Sequence, residues 1–138
     1  MVVVILGFYK RKPGLSREQF REHWEKIHGP LIRGLPDVEK YLIRYVQHHI
    51  QSDSQYPVPS GADFDGFSEA WWVDHESMTR FLASPAFQAT KEDEEKFLDL
   101  SATRWIVNDD QKVIISGIEN SFIKSSIENE VGTEGKAA

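Results

Sequence analysis

The chain reads as an α+β fold in which two helices cover one face of a four-stranded antiparallel sheet, in the order β-α-β-β-α-β. Three observations predict it. Runs rich in β-branched and aromatic residues recur at 2–10, 40–50, 64–73 and 103–107. Stretches with capping residues and helical apolar spacing lie after the first run and after the third. The length, 138 residues, suits one domain with a single core.

Each element has its own signal. Residues 2–10 form a well-buried first strand that Lys12-Pro13-Gly14 breaks. Ser16 with Gln19 three residues on makes a capping box. Phe20, Trp24 and Ile27 then fall on one stripe, with Arg17, Glu18, Arg21, Glu22 and Glu25 mostly off it. Gly29-Pro30 is expected to end that helix, with a short helical turn over 31–35. Residues 40–50 are a second strand, with Tyr41, Ile43, Tyr45, Gln47 and His49 on one face and Leu42, Arg44, Val46, His48 and Ile50 on the other. Residues 52–62 read as a loop long enough to act as a lid.

The third strand, 64–73, carries Asp65, Phe67, Glu69, Trp71 and Val73 on one face and Ser68, Ala70 and Trp72 on the other. Residues 75–82 and 84–98 are helical, Pro85 being a first helical residue after a Ser84 cap. Residues 103–107 form the last strand, with 112–115 a candidate extension. The domain spans 1–118, and 119–138 reads as a polar tail or arm. This order is the ferredoxin-like split arrangement. Its uncovered sheet face would expose aromatic side chains, and a second copy packed against it would give a homodimer in which each subunit encloses a cavity.

Composition narrows the function. A formal charge of −6 and a pI near 5.3 argue against a nucleic-acid partner. The chain has no cysteine, hence no thiolate nucleophile and no cysteine metal site. The apolar start at 2–6 is too short for a signal-peptide core, and no run reaches the roughly 18 apolar residues of a membrane span. A cytosolic location is the simplest expectation. The 12 % aromatic content favours a pocket as well as a core. No HxH or HxxxH pair lies on one element, and neither a glycine-rich phosphate loop nor a G-x-S-x-G elbow is present. No metal, nucleotide or other cofactor is therefore expected.

Several pieces together carry a family resemblance: Arg11-Lys12-Pro13-Gly14-Leu15-Ser16, then Phe20, Trp24 and His28-Gly29-Pro30-Leu31, then Tyr45-Val46-Gln47. Asp65-Gly66-Phe67-Ser68-Glu69-Ala70-Trp71 and Phe81-Leu82, Ser84-Pro85-Ala86-Phe87, Glu94 and Phe97-Leu98-Asp99-Leu100-Ser101 continue it. Over residues 3–115 the chain resembles EthD-domain proteins of the dimeric α/β-barrel superfamily. The His48-His49 pair and the length are similar to fungal decarboxylases of aromatic polyketide pathways, which act on atrochrysone-carboxylic-acid-like intermediates. The resemblance implies a histidine with a function at position 28.

Read from the residues, His28 borders the apolar stripe at the expected helix C-terminus, where the helix dipole favours imidazolium; a plain capping role is the alternative. His48 and His49 point to opposite faces, so one at most enters the cavity directly. If Tyr41, Tyr45 and Gln47 line the open face, His49 is that one; either histidine could equally be an exposed strand-end residue. Asp65 and Glu69 share a face with Phe67 and Trp71, where a carboxyl is either raised by desolvation or paired with histidine or Arg104. The alternative there is a structural salt bridge. His23 and His75 read as surface residues, and Lys91-Glu92-Asp93-Glu94-Glu95-Lys96 as a solvated helix face.

The expected activity is cofactor-free decarboxylation of a polycyclic aromatic polyketide acid, whose own carbonyls stabilise the enolate left by CO₂. His28 or His49 returns the proton, Tyr45 and Glu69 orient the reacting groups, and Tyr41, Gln47, His48, Asp65, Phe67, Trp71 and Arg104 bind the substrate. Dehydration, cyclisation or lactone isomerisation would use the same groups. A non-catalytic dimer that only holds a hydrophobic ligand is the rival from another class.

Overall fold

The computed structural model describes residues 1–50 and 63–117. The expected lid at 52–62 and the tail at 119–138 lie outside them. Four strands form one antiparallel sheet in the order β2-β3-β1-β4: β1 (Val3–Tyr9), β2 (Leu42–His49), β3 (Gly66–Trp72) and β4 (Arg104–Asn108). Among the described residues, helices α1 (Arg17–His23), α2 (Gly29–Arg33), α3 (Val38–Tyr41), α4 (His75–Leu82) and α5 (Pro85–Phe97) accompany the sheet, with a π-helical segment, Trp24–His28, joining α1 to α2. The fold is α+β and ferredoxin-like. Residues 112–115 form no strand. Among the described residues no helix is long and apolar enough to cross a membrane.

The register fixes which side chains meet the helices. Val3 pairs with Trp72, Ile5 with Ala70, Gly7 with Ser68 and Tyr9 with Gly66. Val3, Ile5, Ala70 and Trp72 pack with Leu35, Val38, Met78 and Phe81 in one core cluster. A second cluster, Phe20, Trp24, Phe97 and Leu98, takes in Tyr9 and Leu15. Leu42, Tyr45, Gln47 and His49 stand opposite Trp72, Ala70, Ser68 and Gly66, so they too face the helices. This corrects the expectation that Tyr45, Gln47 and His49 line the open face. That face carries Phe67, Glu69, Trp71 and His48 instead, because alternation leaves them no other side. Tyr41 is in no strand at all: it ends α3 and packs on Phe81.

The first helix departs most from expectation. Its capping box is present, Ser16 Oγ accepting from the Gln19 amide and Gln19 Oε1 from the Ser16 amide. Gly29-Pro30 does not end it. The ring of Pro30 would collide with the Lys26 carbonyl of an unbroken α-helix. The chain widens to a π turn just before it, and the Gly29 amide reaches back five residues to the Trp24 carbonyl. The wider turn moves the buried stripe: Ile27 is 50 % exposed, and His28, 5 % exposed, takes its place beside Phe20 and Trp24.

Gly66 holds this segment against the sheet. A Cβ there would lie 2.5 Å from Trp24 Cζ3 and 3.0 Å from the His48 carbonyl oxygen. Gly66→Ala is expected to cost about 1–3 kcal/mol through overpacking. Urea unfolding of the two proteins checks it, and an unaltered midpoint would contradict this packing of Trp24 on β3.

Candidate active site

A cavity of about 640 Å³ lies between the helices and the sheet within the single chain. Its wall is mostly apolar, with Leu35, Trp72, Phe81, Phe87 and Trp105 prominent. A volume of this order suits a small organic molecule. The polar part of the wall includes His28, Glu94, Tyr9, Tyr45, Ser68 and Lys91.

His28 is held by α5. Its Nδ1 lies 3.0 Å from Asp93 Oδ2, and the other oxygen, Oδ1, lies 2.9 Å from His23 Nε2. Asp93 is 3 % exposed, and Phe97 packs against both rings. With Nδ1 committed to Asp93, the reactive nitrogen of His28 is Nε2, which has no hydrogen-bond partner among the described residues. Burial pushes the His28 imidazole below its ordinary value, outweighing the hydrogen bond and charge of Asp93 that favour the protonated form; the charge of His23 lowers it further. The dipole argument for an imidazolium fails because His28 sits inside a continuing helix.

Glu94, one residue on, has the opposite character. Burial pushes its carboxyl up to about 7, with Lys91 opposing and Asp93 adding to the rise. Near neutral pH it can hold or release a proton. Burial also raises the phenols of Tyr9 and Tyr45, and the Glu94 charge raises both further, so these phenols stay protonated as donors. Tyr9 Oη shares a 2.8 Å hydrogen bond with Ser68 Oγ. The wall thus combines a neutral imidazole, a protonatable carboxyl and two phenols, a set fit for moving protons in a dry apolar space.

The remaining sequence candidates are placed elsewhere. Gln47 Nε2 donates to the Trp24 carbonyl at 2.9 Å. His49 packs on Trp24 at 4.7 Å between ring centres, shares a 3.1 Å hydrogen bond with Gln47 Oε1, and does not line the cavity. Burial lowers its imidazole. On the opposite face His48 Nε2 meets Glu69 Oε2 at 2.6 Å and stacks on Phe67 at 4.1 Å, while Trp71 Nε1 donates to Glu69 Oε1 at 3.4 Å. Partial burial pushes the Glu69 carboxyl up, but these hydrogen bonds and the charges of His48 and Arg44 outweigh it and leave it below its ordinary value.

Asp65 is a structural anchor. It accepts from the Arg11 amide at 2.9 Å and pairs with Arg11 and Arg17 at 3.4 and 3.5 Å. Arg104 donates to the carbonyls of Ser101 and Thr103. Of the eleven sequence candidates only His28 and Tyr45 line the cavity. Among the described residues no group of three His, Asp or Glu is arranged to hold a metal ion.

Sequence reasoning missed Asp93, Glu94 and Tyr9, and placed His23 on the surface. The signal for the first two was there. Phe87, Thr90, Asp93, Glu94 and Phe97 recur at helical spacing, and Thr90, Asp93 and Phe97 are all buried. The charges around them hid the stripe.

Comparisons with known proteins agree with this architecture. The profile of the EthD domain matches residues 12–101. The chain is 27 % identical to dehydratase ustZ of Ustilaginoidea virens, over 88 % of this chain and 91 % of that protein. It is 31 % identical to decarboxylase claH of Passalora fulva, over 78 % and 73 %. Among solved structures, an EthD-family protein from Bacillus halodurans C-125 superposes with a TM-score of 0.62 at 22 % identity, covering 80 % of this chain and all of that one. A dimeric protein of unknown function with a ferredoxin-like fold, from Bacteroides fragilis NCTC 9343, gives 0.57 at 9 % identity, covering 79 % and 96 %.

The raised carboxyl of Glu94 makes a stability prediction. Its folded value of about 7 lies above the ordinary 4.5, so the folded state binds the proton more tightly and loses stability as pH rises through that interval. Glu94→Gln is therefore expected to raise the melting temperature at pH 8 and to change it little at pH 4. Equal shifts at both pH values would contradict the assignment.

Proposed function

The chain belongs to the EthD domain family, and from that premise we propose that it is a cofactor-independent lyase that dehydrates a β-hydroxy carbonyl compound of the aromatic polyketide type. The observation that carries the reading is that His28 and Glu94, a neutral imidazole and a carboxyl protonated near neutral pH, share the wall of one apolar cavity. Dehydration needs both. His28 Nε2 takes the proton from the carbon beside the carbonyl, and the electron pair moves to the carbonyl oxygen as an enolate. Tyr45 and Tyr9 donate hydrogen bonds where that negative charge develops. The enolate then re-forms the carbonyl and a carbon–carbon double bond as the β carbon–oxygen bond breaks. Glu94 protonates the departing hydroxyl, and water leaves. The catalyst is restored when the imidazolium proton passes to Glu94. Asp93 fixes the His28 tautomer throughout by accepting from Nδ1.

Decarboxylation, the activity expected first from the sequence, is the second reading, and Lys91 is the observation that favours it. Its ammonium stands on the cavity wall, where it can hold a carboxylate, and loss of CO₂ then needs only a proton donor to carbon. Support for both readings comes from the two fungal relatives, one named a dehydratase and the other a decarboxylase.

The proposal includes a homodimer. The sheet face away from the helices carries Phe8, Phe67, Trp71 and Ile106, and Ile106 is 53 % exposed. A second copy against this face would cover it, as the dimeric relative from Bacteroides fragilis supports.

The test offers purified protein carboxylated and decarboxylated β-hydroxy aromatic polyketides and follows products by mass. Loss of water from both substrates supports dehydration, and loss of CO₂ from the acid alone supports the second reading. His28→Gln is expected to lower kcat/KM by about 10²–10⁴. Full turnover in that variant would sink both, and tight binding without conversion would leave a ligand-holding protein.

A further inference from the structure

We propose that His23 is a positioning residue that keeps His28 a free base: the two imidazoles flank one buried carboxylate, Asp93, and the single positive charge that balances it resides on His23. This rests on the reading of His28 as the base, and it assigns a role to a side chain that does not line the cavity.

The geometry is a carboxylate with one ring on each oxygen, Asp93 Oδ1 to His23 Nε2 at 2.9 Å and Oδ2 to His28 Nδ1 at 3.0 Å. With no imidazolium, Asp93 would be a buried anion served only by neutral donors. With two, the trio would carry a net positive charge inside the protein. Burial penalises both, and one imidazolium avoids both. The proton goes to the ring that water reaches. The His23 side chain is 20 % exposed and that of His28 only 6 %, so charging His23 costs less solvation. His23 also opens onto a shallow surface hollow with Glu18, Glu22 and Lys26, whereas His28 opens onto the apolar cavity.

The consequence is a division of labour. Charge on His23 repels a second charge on His28, in keeping with the lowered imidazole of His28. His28 then presents Nδ1–H to Asp93 and an unshared pair on Nε2 to the cavity. The other titratable or charged groups around it are few. Glu22 and Lys26 pair with each other at 3.0 Å, and Glu18 lies beside them; Lys91, Glu94 and Glu95 come from α5, Tyr9 and Tyr45 from the sheet, and Arg33 of α2 is exposed.

The test compares the full chain with His23→Gln and His23→Arg. Nuclear magnetic resonance of ring-labelled histidine follows the His28 titration without substrate. In His23→Gln, which keeps a neutral partner for Asp93, the His28 midpoint is expected to rise by roughly one pH unit. In His23→Arg, which restores a permanent charge, it should lie at or below the parent value. With a turned-over substrate, the acidic limb of kcat/KM should move up with the His28 midpoint in His23→Gln, so that activity at pH 6 falls more than activity at pH 8. A purely structural role for His23 would lower activity equally at both. An unmoved midpoint in His23→Gln, or a raised one in His23→Arg, overturns the proposal. Should His23→Gln fail to fold, the Arg variant decides alone. A shifted midpoint in a protein that turns over no substrate would uphold the coupling and refute the proposed activity instead.

Discussion

Pro30 brings no amide hydrogen to the helix that starts at Arg17, and its ring leaves no room for the carbonyl four residues before it. The π turn over Trp24–His28 answers that constraint, and much of the site follows from it. An α-helical turn would have kept Ile27 on the stripe of Phe20 and Trp24 and left His28 at its border. The widened turn reverses them, and it offers the Trp24 carbonyl to two donors, the Gly29 amide and the Gln47 side chain. Glycine at 66 lets the Trp24 ring lie against β3. One irregular turn thus sets the depth of the histidine, and the sheet is shaped to receive it.

Burial around His28 then does two opposite things to neighbouring groups. It makes the imidazole harder to charge and the Glu94 carboxyl harder to ionise, so both sit in their neutral forms at moderate pH. A neutral base and a neutral acid on the same apolar wall need no mutual ion pair, and neither is neutralised by the other. Asp93 is kept out of this pair because both of its oxygens are engaged by histidines. Glu94 shares the cavity wall with His28, yet the carboxylate that touches the imidazole is Asp93.

Much of the fold was legible in the sequence, and the reason is periodicity. The strands and the two long helical stretches announce themselves by alternation, by caps at Ser16 and Ser84, and by the break at Pro13-Gly14. The site was legible only in part. His28 lines the cavity, but from within a continuing helix and not at its end, since a Gly-Pro pair reads as a stop when nothing in the sequence announces a π turn. From Arg44 to His49 alternation groups the residues of β2 as the structure does, but the register shift between Leu42 and Arg44 turns Leu42 to the helix side, and Tyr45, Gln47 and His49 lie under the helices rather than on the open face. Alternation says which residues share a face, whereas only the register with β3 and the packing of the helices say which face is covered. Asp93 and Glu94 were lost in a run of charges that looked solvated. Charge density along a helix conceals an inward-facing pair when the flanking residues on the same stripe, Thr90 and Phe97, are few and far apart.

The cavity separates two groups of packed side chains, one centred on Trp72 and Phe81, the other on Trp24 and Phe97. A molecule that fills it would contact both and serve as the missing middle of the interior. The domain and its ligand would then share one hydrophobic interior, so occupancy and conformational stability become a single linked equilibrium. At a hundredfold excess over Kd such linkage adds about 2.7 kcal/mol, comparable to the loss of a large buried side chain.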